Sequence, residues 1–268
     1  MVLDVGGKTD IGLRRSKNED YFYAEGSNGL FIVADGVGGS ASGDVASKMA
    51  VELIRDYIVN GEKGFEPVEA EYRQEYSFTT NKIAMAVKVA NKAINNASSK
   101  SPQLNGMATT IVVALITDDR LSIAHAGDSR LYLIRGDTIE QLTDDHSLVA
   151  EQIRKGLMSQ EEAKEVGMRN VITRSLGYSS DVEVDLGELT IYDGDVLLLC
   201  SDGLYTMVPE NSMLRTIKSS YNPNEVCDRL IEFANKKGGR DNITVVIAYV
   251  YKKRWYSFLY NLFKRRRR

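Results

Sequence analysis

The stretch Ala108-Thr109-Thr110-Ile111-Val112-Val113-Ala114-Leu115-Ile116-Thr117, linked through Asp118-Asp119 to Arg120-Leu121-Ser122-Ile123-Ala124-His125-Ala126, decides the fold class. Both runs are rich in β-branched and apolar residues and the link is short and polar, the pattern of a hairpin. A second pair of strand-like runs, Leu131 to Arg135 and Thr138 to Leu142, surrounds Gly136-Asp137 in the same way. Links this short join antiparallel neighbours. The middle of the chain is therefore expected to be an antiparallel meander and not a series of βαβ units, which disfavours a doubly wound nucleotide-binding sheet.

Working outward, further strands are expected at Tyr21 to Glu25, Leu30 to Ala34, Val182 to Leu189, Val196 to Cys200 and Ile243 to Tyr251. Helices are expected at Asp44 to Val59 and Thr80 to Ala97, where Ile83, Val87, Ala90 and Ile94 repeat at helical spacing and would cover one sheet face. Shorter helices are expected at Leu148 to Lys155, Gln160 to Val166, Glu210 to Ser219 and Pro223 to Lys236. The polar segment from Asp144 to Asn170 falls outside the strand pattern and reads as an inserted flap.

The 268 residues, 43 % apolar and 26 % charged, are those of an ordinary folded protein, with no solenoid repeat and no long linker. We read one domain, residues 1–251, and a tail, residues 252–268. No apolar run approaches the roughly 18 residues of a membrane span, and no secretory signal is visible, so a cytoplasmic protein is expected. Two cysteines and two histidines make neither a disulfide framework nor a His-rich metal cluster. Any metal must be held by oxygen.

Charge is distributed unevenly. Lys252 to Arg268 holds eight basic residues and no acidic one, which leaves 26 basic against 37 acidic residues in the rest. A body at −11 repels nucleic acid and suits a protein that collects cations. In the tail, Trp255, Phe258, Leu259, Leu262 and Phe263 form an apolar stripe between basic clusters. Three roles stand open for it: contact with an anionic membrane surface, peripheral at the inner face; packing on the domain; or binding to an acidic partner or nucleic acid.

Acidic residues stand where apolar strands stop. Val33-Ala34 ends in Asp35-Gly36, Ala126 in Gly127-Asp128 and Cys200-Ser201 in Asp202-Gly203, while Arg240-Asp241-Asn242 leads into the last strand. Each Asp-Gly alone is a common turn pair. Four carboxylates at the ends of core strands would repel one another unless cations neutralised them, and hard cations such as Mg²⁺ or Mn²⁺ prefer oxygen ligands.

The order of these segments is specific. Thr9-Asp10-Ile11-Gly12 through Asn18-Glu19-Asp20, Val33 to Gly39, Gly106-Met107-Ala108-Thr109-Thr110, Ala126-Gly127-Asp128-Ser129-Arg130, Thr143-Asp144-Asp145-His146-Ser147, Cys200 to Leu204 and Arg240-Asp241-Asn242-Ile243-Thr244 resemble the metal-dependent serine/threonine protein phosphatases, the phosphatase 2C family, in their compact bacterial form. The resemblance implies an α+β fold, a four-layer α-β-β-α sandwich with two central antiparallel β-sheets. It implies hydrolysis of phosphoserine and phosphothreonine in proteins, opposing a bacterial kinase, by a monomer that uses Mn²⁺ or Mg²⁺, two ions with a third, weaker one.

Carried over position by position, the resemblance makes Asp35 the carboxylate bridging two metals, with the Gly36 carbonyl on the first and Asp202 and Asp241 on the second. Such a pair of ions, roughly 3.5–4 Å apart, activates a shared water, so water and not a side chain is the nucleophile. Asp128 with Asp202 resembles the third site, or else Asp128 orders the Ser129-Arg130 turn. Glu19 and Asp20 resemble the acidic pair beside the first metal, or else form a turn that caps the next strand. Arg15 matches the arginine that grips the substrate phosphate, as a planar guanidinium does bidentately. Its rival Arg14 points to the other side of an extended segment. Asn242 and Ser201 are expected to support the ligands.

One departure stands out. Val37 follows Asp35-Gly36 where many eukaryotic members carry a histidine, so the proposed general acid is absent. His146 at the flap entrance is one substitute, a backbone-bonding turn residue its other reading, and His125 is expected in the core. Asp35-Gly36-Val37-Gly38-Gly39-Ser40 lacks the Gly-Lys-Ser/Thr of a P-loop, and Cys200 beside acidic residues is expected as a core thiol.

Overall fold

Ile243–Tyr251 reads as a nearly continuous apolar strand without polar alternation, and burial of all but its last residue explains why. A strand covered on one face alternates, whereas one covered on both faces does not. In the computed structural model, which describes residues 1–37, 42–61, 63–64, 72–159, 162 and 171–252, two antiparallel sheets stack face to face and helices cover both outer faces. The first sheet orders β1 (Val2–Asp10), β11 (Ile243–Tyr251), β10 (Val196–Cys200), β7 (Arg130–Arg135) and β8 (Thr138–Gln141) as β1-β11-β10-β7-β8. The second orders β2 (Asp20–Glu25), β3 (Leu30–Val37), β5 (Ile111–Thr117), β6 (Arg120–Ala126) and β9 (Asp185–Thr190) as β2-β3-β5-β6-β9, and short β4 (Ala108–Thr109) pairs with the end of β3. This is the expected four-layer sandwich.

Three apolar layers hold it. Between the sheets lie Phe31, Val33, Val112, Leu131, Leu197, Leu199, Val246 and Ala248. The opposite faces of the same strands pack outward: Ile32, Ile111 and Val113 meet α1 (Gly43–Asn60) and α2 (Phe78–Lys100) through Ile54, Ile83 and Val87. Leu198, Val245 and Ile247 meet α5 (Glu210–Lys218) and α6 (Pro223–Lys236) through Met213, Leu230 and Ile231. Each fully buried aliphatic side chain contributes about 1.5–3 kcal/mol. Two shorter helices, α3 (Leu148–Arg154) and α4 (Asp202–Tyr205), stand at one end of the sandwich.

The expected elements are present with four differences. β1 was not anticipated, because Gly6-Gly7 and its charged residues mask the alternation of Leu3 and Val5 that packs it between the sheets. The expected meander is two hairpins in different sheets: β5-β6 turns through Asp118-Asp119, β7-β8 turns through Gly136-Asp137, and Gly127 to Ser129 carries the chain from one sheet to the other. Thr110 interrupts the single strand expected over Ala108 to Thr117. β9 begins at Asp185, and Val182 and Val184 ahead of it pack under α2 without joining a ladder. The expected helix at Gln160 to Val166 and the amphipathic stripe of the tail lie outside the described residues.

Because Leu199 is fully enclosed between the sheets, Leu199→Ala is expected to lower unfolding stability in urea by about 2–5 kcal/mol. A loss below about 1 kcal/mol would contradict this packing.

Candidate active site

The β10-β11, β2-β3 and β5-β6 pairings place the starts of β2, β5 and β11 and the ends of β3, β6 and β10 at one rim of the sandwich. Asp20 and Asp35 face each other in the β2-β3 register. Asp202 follows β10 as the first residue of α4, Asp241 precedes β11, and Asp128 sits in the crossing between sheets. These five aspartates act on one another. Burial, then the charges of Asp20, Asp202, Asp128 and Asp241, hold the Asp35 carboxyl well above the usual range. Burial, then Asp128, Asp241 and Asp20, push Asp202 up to about 8. Burial raises Asp20 and Asp128 to about 6 each.

The Asp-Gly pairs are not turns. Neither Gly36 nor Gly203 has a positive φ. Their lack of a Cβ gives space: one on Gly36 would strike the carbonyls of Gly43 and Glu19, and one on Gly203 would strike the Asn242 carbonyl. Three chain segments thus close around Asp35, and Asp202 is brought against the segment carrying Asp241.

Neutral donors lock the carboxylates. Asp20, only 5 % exposed, bridges the two sheets: its Oδ2 accepts 2.7 Å hydrogen bonds from Ser201 Oγ and Thr244 Oγ1. The Asp35 backbone N–H donates to Thr110 Oγ1 at 3.1 Å, and its carbonyl accepts from Thr110 N at 2.8 Å and from Thr109 Oγ1 at 2.8 Å. Thr110 Oγ1 lies 2.7 Å from Ser129 Oγ, which ties Asp35 to the Asp128 loop. Asn242 ties neighbouring backbone together: its Oδ1 accepts from Glu19 N–H, and its Nδ2 donates to the carbonyls of Ile11 and Lys17. It staples the segment that carries Arg15. Glu19 contributes mainly backbone, since its carbonyl accepts from Gly36 N–H at 3.1 Å and from Ser47 Oγ at 2.5 Å. Thr110 and Thr244 stand within the motifs quoted above, without an expected role. That placement was their only signal.

Arg15 faces the acidic rim. Its Nη2 donates to Asp241 Oδ2 at 2.6 Å, and this bond, reinforced by Asp241, Asp202 and Asp35, raises its pKa. The side chain is half-exposed at the mouth of the site, where a phosphate can approach it.

The donor set fits divalent cations. Asp20 Oδ1 and Asp202 Oδ1 are buried without any hydrogen-bond partner. Buried carboxylate oxygens left bare are costly, and a hard cation satisfies them. All the converging groups are oxygen donors, and burial pushes the Cys200 thiol up, away from a thiolate nucleophile.

Residues 14–243 match the sequence model of the family described as Protein phosphatase 2C. The chain belongs to that family. It is 40 % identical over 246 residues to a serine/threonine phosphatase, stp, of Listeria welshimeri, covering 90 % of this chain and 93 % of the relative. The crystal structure of the Mycobacterium tuberculosis serine/threonine phosphatase PstP/Ppp superposes with a TM-score of 0.83 at 34 % identity, over 94 % of this chain and 100 % of that one. The catalytic domain of PstP in complex with two manganese ions superposes with a TM-score of 0.80 at 35 % identity, over 94 % and 99 % of the two chains.

Neither histidine of this phosphatase can serve as a general acid. His146 is fully buried: its Nδ1 accepts from Gly127 N–H at 3.1 Å, and its Nε2 lies 3.1 Å from Asp185 Oδ2. Its ring stacks on that of His125, whose Nε2 lies 2.9 Å from the Asp144 carbonyl. Arg174 Nη1 donates to Asp185 Oδ1 at 2.6 Å, and the His146 bond, then Arg174, hold the Asp185 carboxyl below the usual range. His125, His146 and Asp185 come within 4.8 Å of one another. With the guanidinium among them and each ring bonded, they form a polar lock joining the flap root to the Gly127-Asp128 loop. His146 therefore takes the backbone-bonding role.

The raised acids set a pH dependence. From near pH 4 up to about pH 8, the metal-free folded protein holds more protons on Asp20, Asp128, Asp35 and Asp202 than the unfolded chain. Their contribution to stability therefore falls as pH rises through that window. In chelator, the melting temperature is expected to drop between about pH 5 and pH 8, and millimolar Mn²⁺ to restore it mainly at the upper end. A flat profile with no metal effect would contradict the cluster.

Proposed function

We propose that the acidic rim is the active centre of a metal-dependent protein serine/threonine phosphatase, in which Asp35, Asp202, Asp241 and the Gly36 carbonyl hold two divalent cations, Mn²⁺ or Mg²⁺. Asp128 with Asp202 would hold a third, and Asp20 and Glu19 stand beside the first. The observation that carries this reading is the pair of bare, buried oxygens on Asp20 and Asp202 within five mutually repelling carboxylates. When bound, such ions supply Lewis-acid charge at the phosphoryl oxygens and an activated water as nucleophile.

The residues of the chain do the rest. Arg15 presents a fork at the mouth of the site and orients the phosphate of the substrate serine or threonine. Water adds to phosphorus, the bond to the side-chain oxygen breaks, and that oxygen takes up a proton. Val37, 36 % exposed beside the ligands, offers no proton, and both histidines are engaged elsewhere. Across the reaction, the attacking water gives up a proton as the leaving oxygen gains one. Seated in the rim, the acidic cluster excludes a bare polyanion such as nucleic acid.

In this reading residues 1–251 are the catalytic domain, a cytoplasmic monomer acting on phosphoproteins against a serine/threonine kinase. Residues 252–268, of which all but Lys252 lie outside the described residues, would contact an anionic membrane surface through their basic and apolar side chains. Among the described residues no helix is long and apolar enough to cross a membrane.

Asp241→Asn removes one negative ligand and keeps the shape. Its Mn²⁺-dependent turnover of a phosphothreonine peptide is expected to fall about 100-fold or more, while wild type turns over only with metal. Equal rates in both proteins, or turnover in chelator, would overturn the assignment.

A further inference from the structure

Tyr205 lies one turn beyond Asp202 on α4, and its hydroxyl donates to Asp128 Oδ2 at 3.3 Å. Asp128 is only 6 % exposed. The ring of Tyr205 is itself fixed, because the Arg130 guanidinium carbon stands 3.6 Å from its centroid. Arg130 is pinned in turn: Nε and Nη2 donate to the two Asp145 oxygens at 2.8 and 2.6 Å, and Nη1 donates to the Tyr132 hydroxyl at 2.8 Å. Asp145 also accepts from Gln141 Nε2 at 3.1 Å and belongs to the root of the flap. A chain of directional contacts therefore runs from the flap root to the Asp128 carboxylate and ends at the helix that starts with Asp202.

Chemistry suits the role. A phenol hydroxyl donates to Asp128 without adding charge to a crowded acidic site. A hydrogen bond on one oxygen fixes the plane of the carboxylate, and with it the direction in which its remaining lone pairs meet a cation. We propose that Tyr205 is a positioning residue, whose hydroxyl fixes Asp128 in the orientation from which Asp128 and Asp202 together hold the weaker divalent cation. The inference rests on the reading of Asp128 as a ligand. Because Asp202 and Tyr205 share one short helix, the two sides of that site move together.

The test is a Mn²⁺ titration of the metal-free full chain without substrate, with free Mn²⁺ read from its paramagnetic resonance signal. Wild type, Tyr205→Phe and Asp128→Asn are compared, and melting curves confirm that each metal-free variant is folded. Phenylalanine keeps the ring under Arg130 and removes only the hydroxyl. Wild type is expected to show tight and weak binding, Asp128→Asn to lose the weak class, and Tyr205→Phe to weaken that class about tenfold with the tight class unchanged. A Tyr205→Phe isotherm that overlays wild type, or one that loses both classes together, overturns the positioning role and leaves Asp128 as a ligand. A weak class that is absent from wild type, or survives in Asp128→Asn, overturns the reading of Asp128 and the positioning role with it.

Discussion

Repulsion among buried carboxylates is the constraint around which this protein is built. Asp20, Asp35, Asp128, Asp202 and Asp241 meet at one rim, and burial with mutual charge drives Asp35 and Asp202 far from an ordinary carboxylate. Left to itself, such a cluster would push its strands apart. The continuous apolar faces of β3, β5, β10 and β11, covered on both sides, supply the opposing cohesion, and the proposed cations would complete it at the bare oxygens.

Cohesion alone does not aim a carboxylate. Ser201 and Thr244 do so for Asp20 with neutral hydrogen bonds, Thr110 fixes the Asp35 backbone and Asn242 the segment from Ile11 to Glu19, and Asp20 joins the two sheets at the acidic rim. The hydrogen bonds of the acidic rim and the sheet-to-sheet seam are thus the same set of contacts. On the far side of Asp128, the His125-His146-Asp185 lock and the Tyr205-Arg130-Asp145 chain fasten the flap root to the metal-site loop. Motifs that read in sequence as separate turns are one connected network.

The sequence showed the hairpins, the long helices and the aspartates because each is a local signal: a two-residue polar link, a 3.6-residue period, an Asp where an apolar run stops. β1 was hidden because glycines and charges replace the alternation where it lies between neighbours. The crossing at Gly127 was hidden because nothing local says that β6 and β7 belong to different sheets. Each Asp-Gly pair alone reads as a turn, yet Gly36 and Gly203 let neighbouring backbones approach. His146 looked available for acid catalysis and is sealed by packing that no spacing encodes. Arg15 was chosen over Arg14 from motif spacing and extended-chain geometry, and the structure turns it to Asp241.

Anomalous diffraction from crystals equilibrated with Mn²⁺ tests the central claim most directly. Strong manganese peaks at the rim, ligated by Asp35, Asp202 and Asp241 with the Arg15 guanidinium released from Asp241, are predicted. Peaks confined to the outer surface, with Arg15 still bonded to Asp241, would contradict the account.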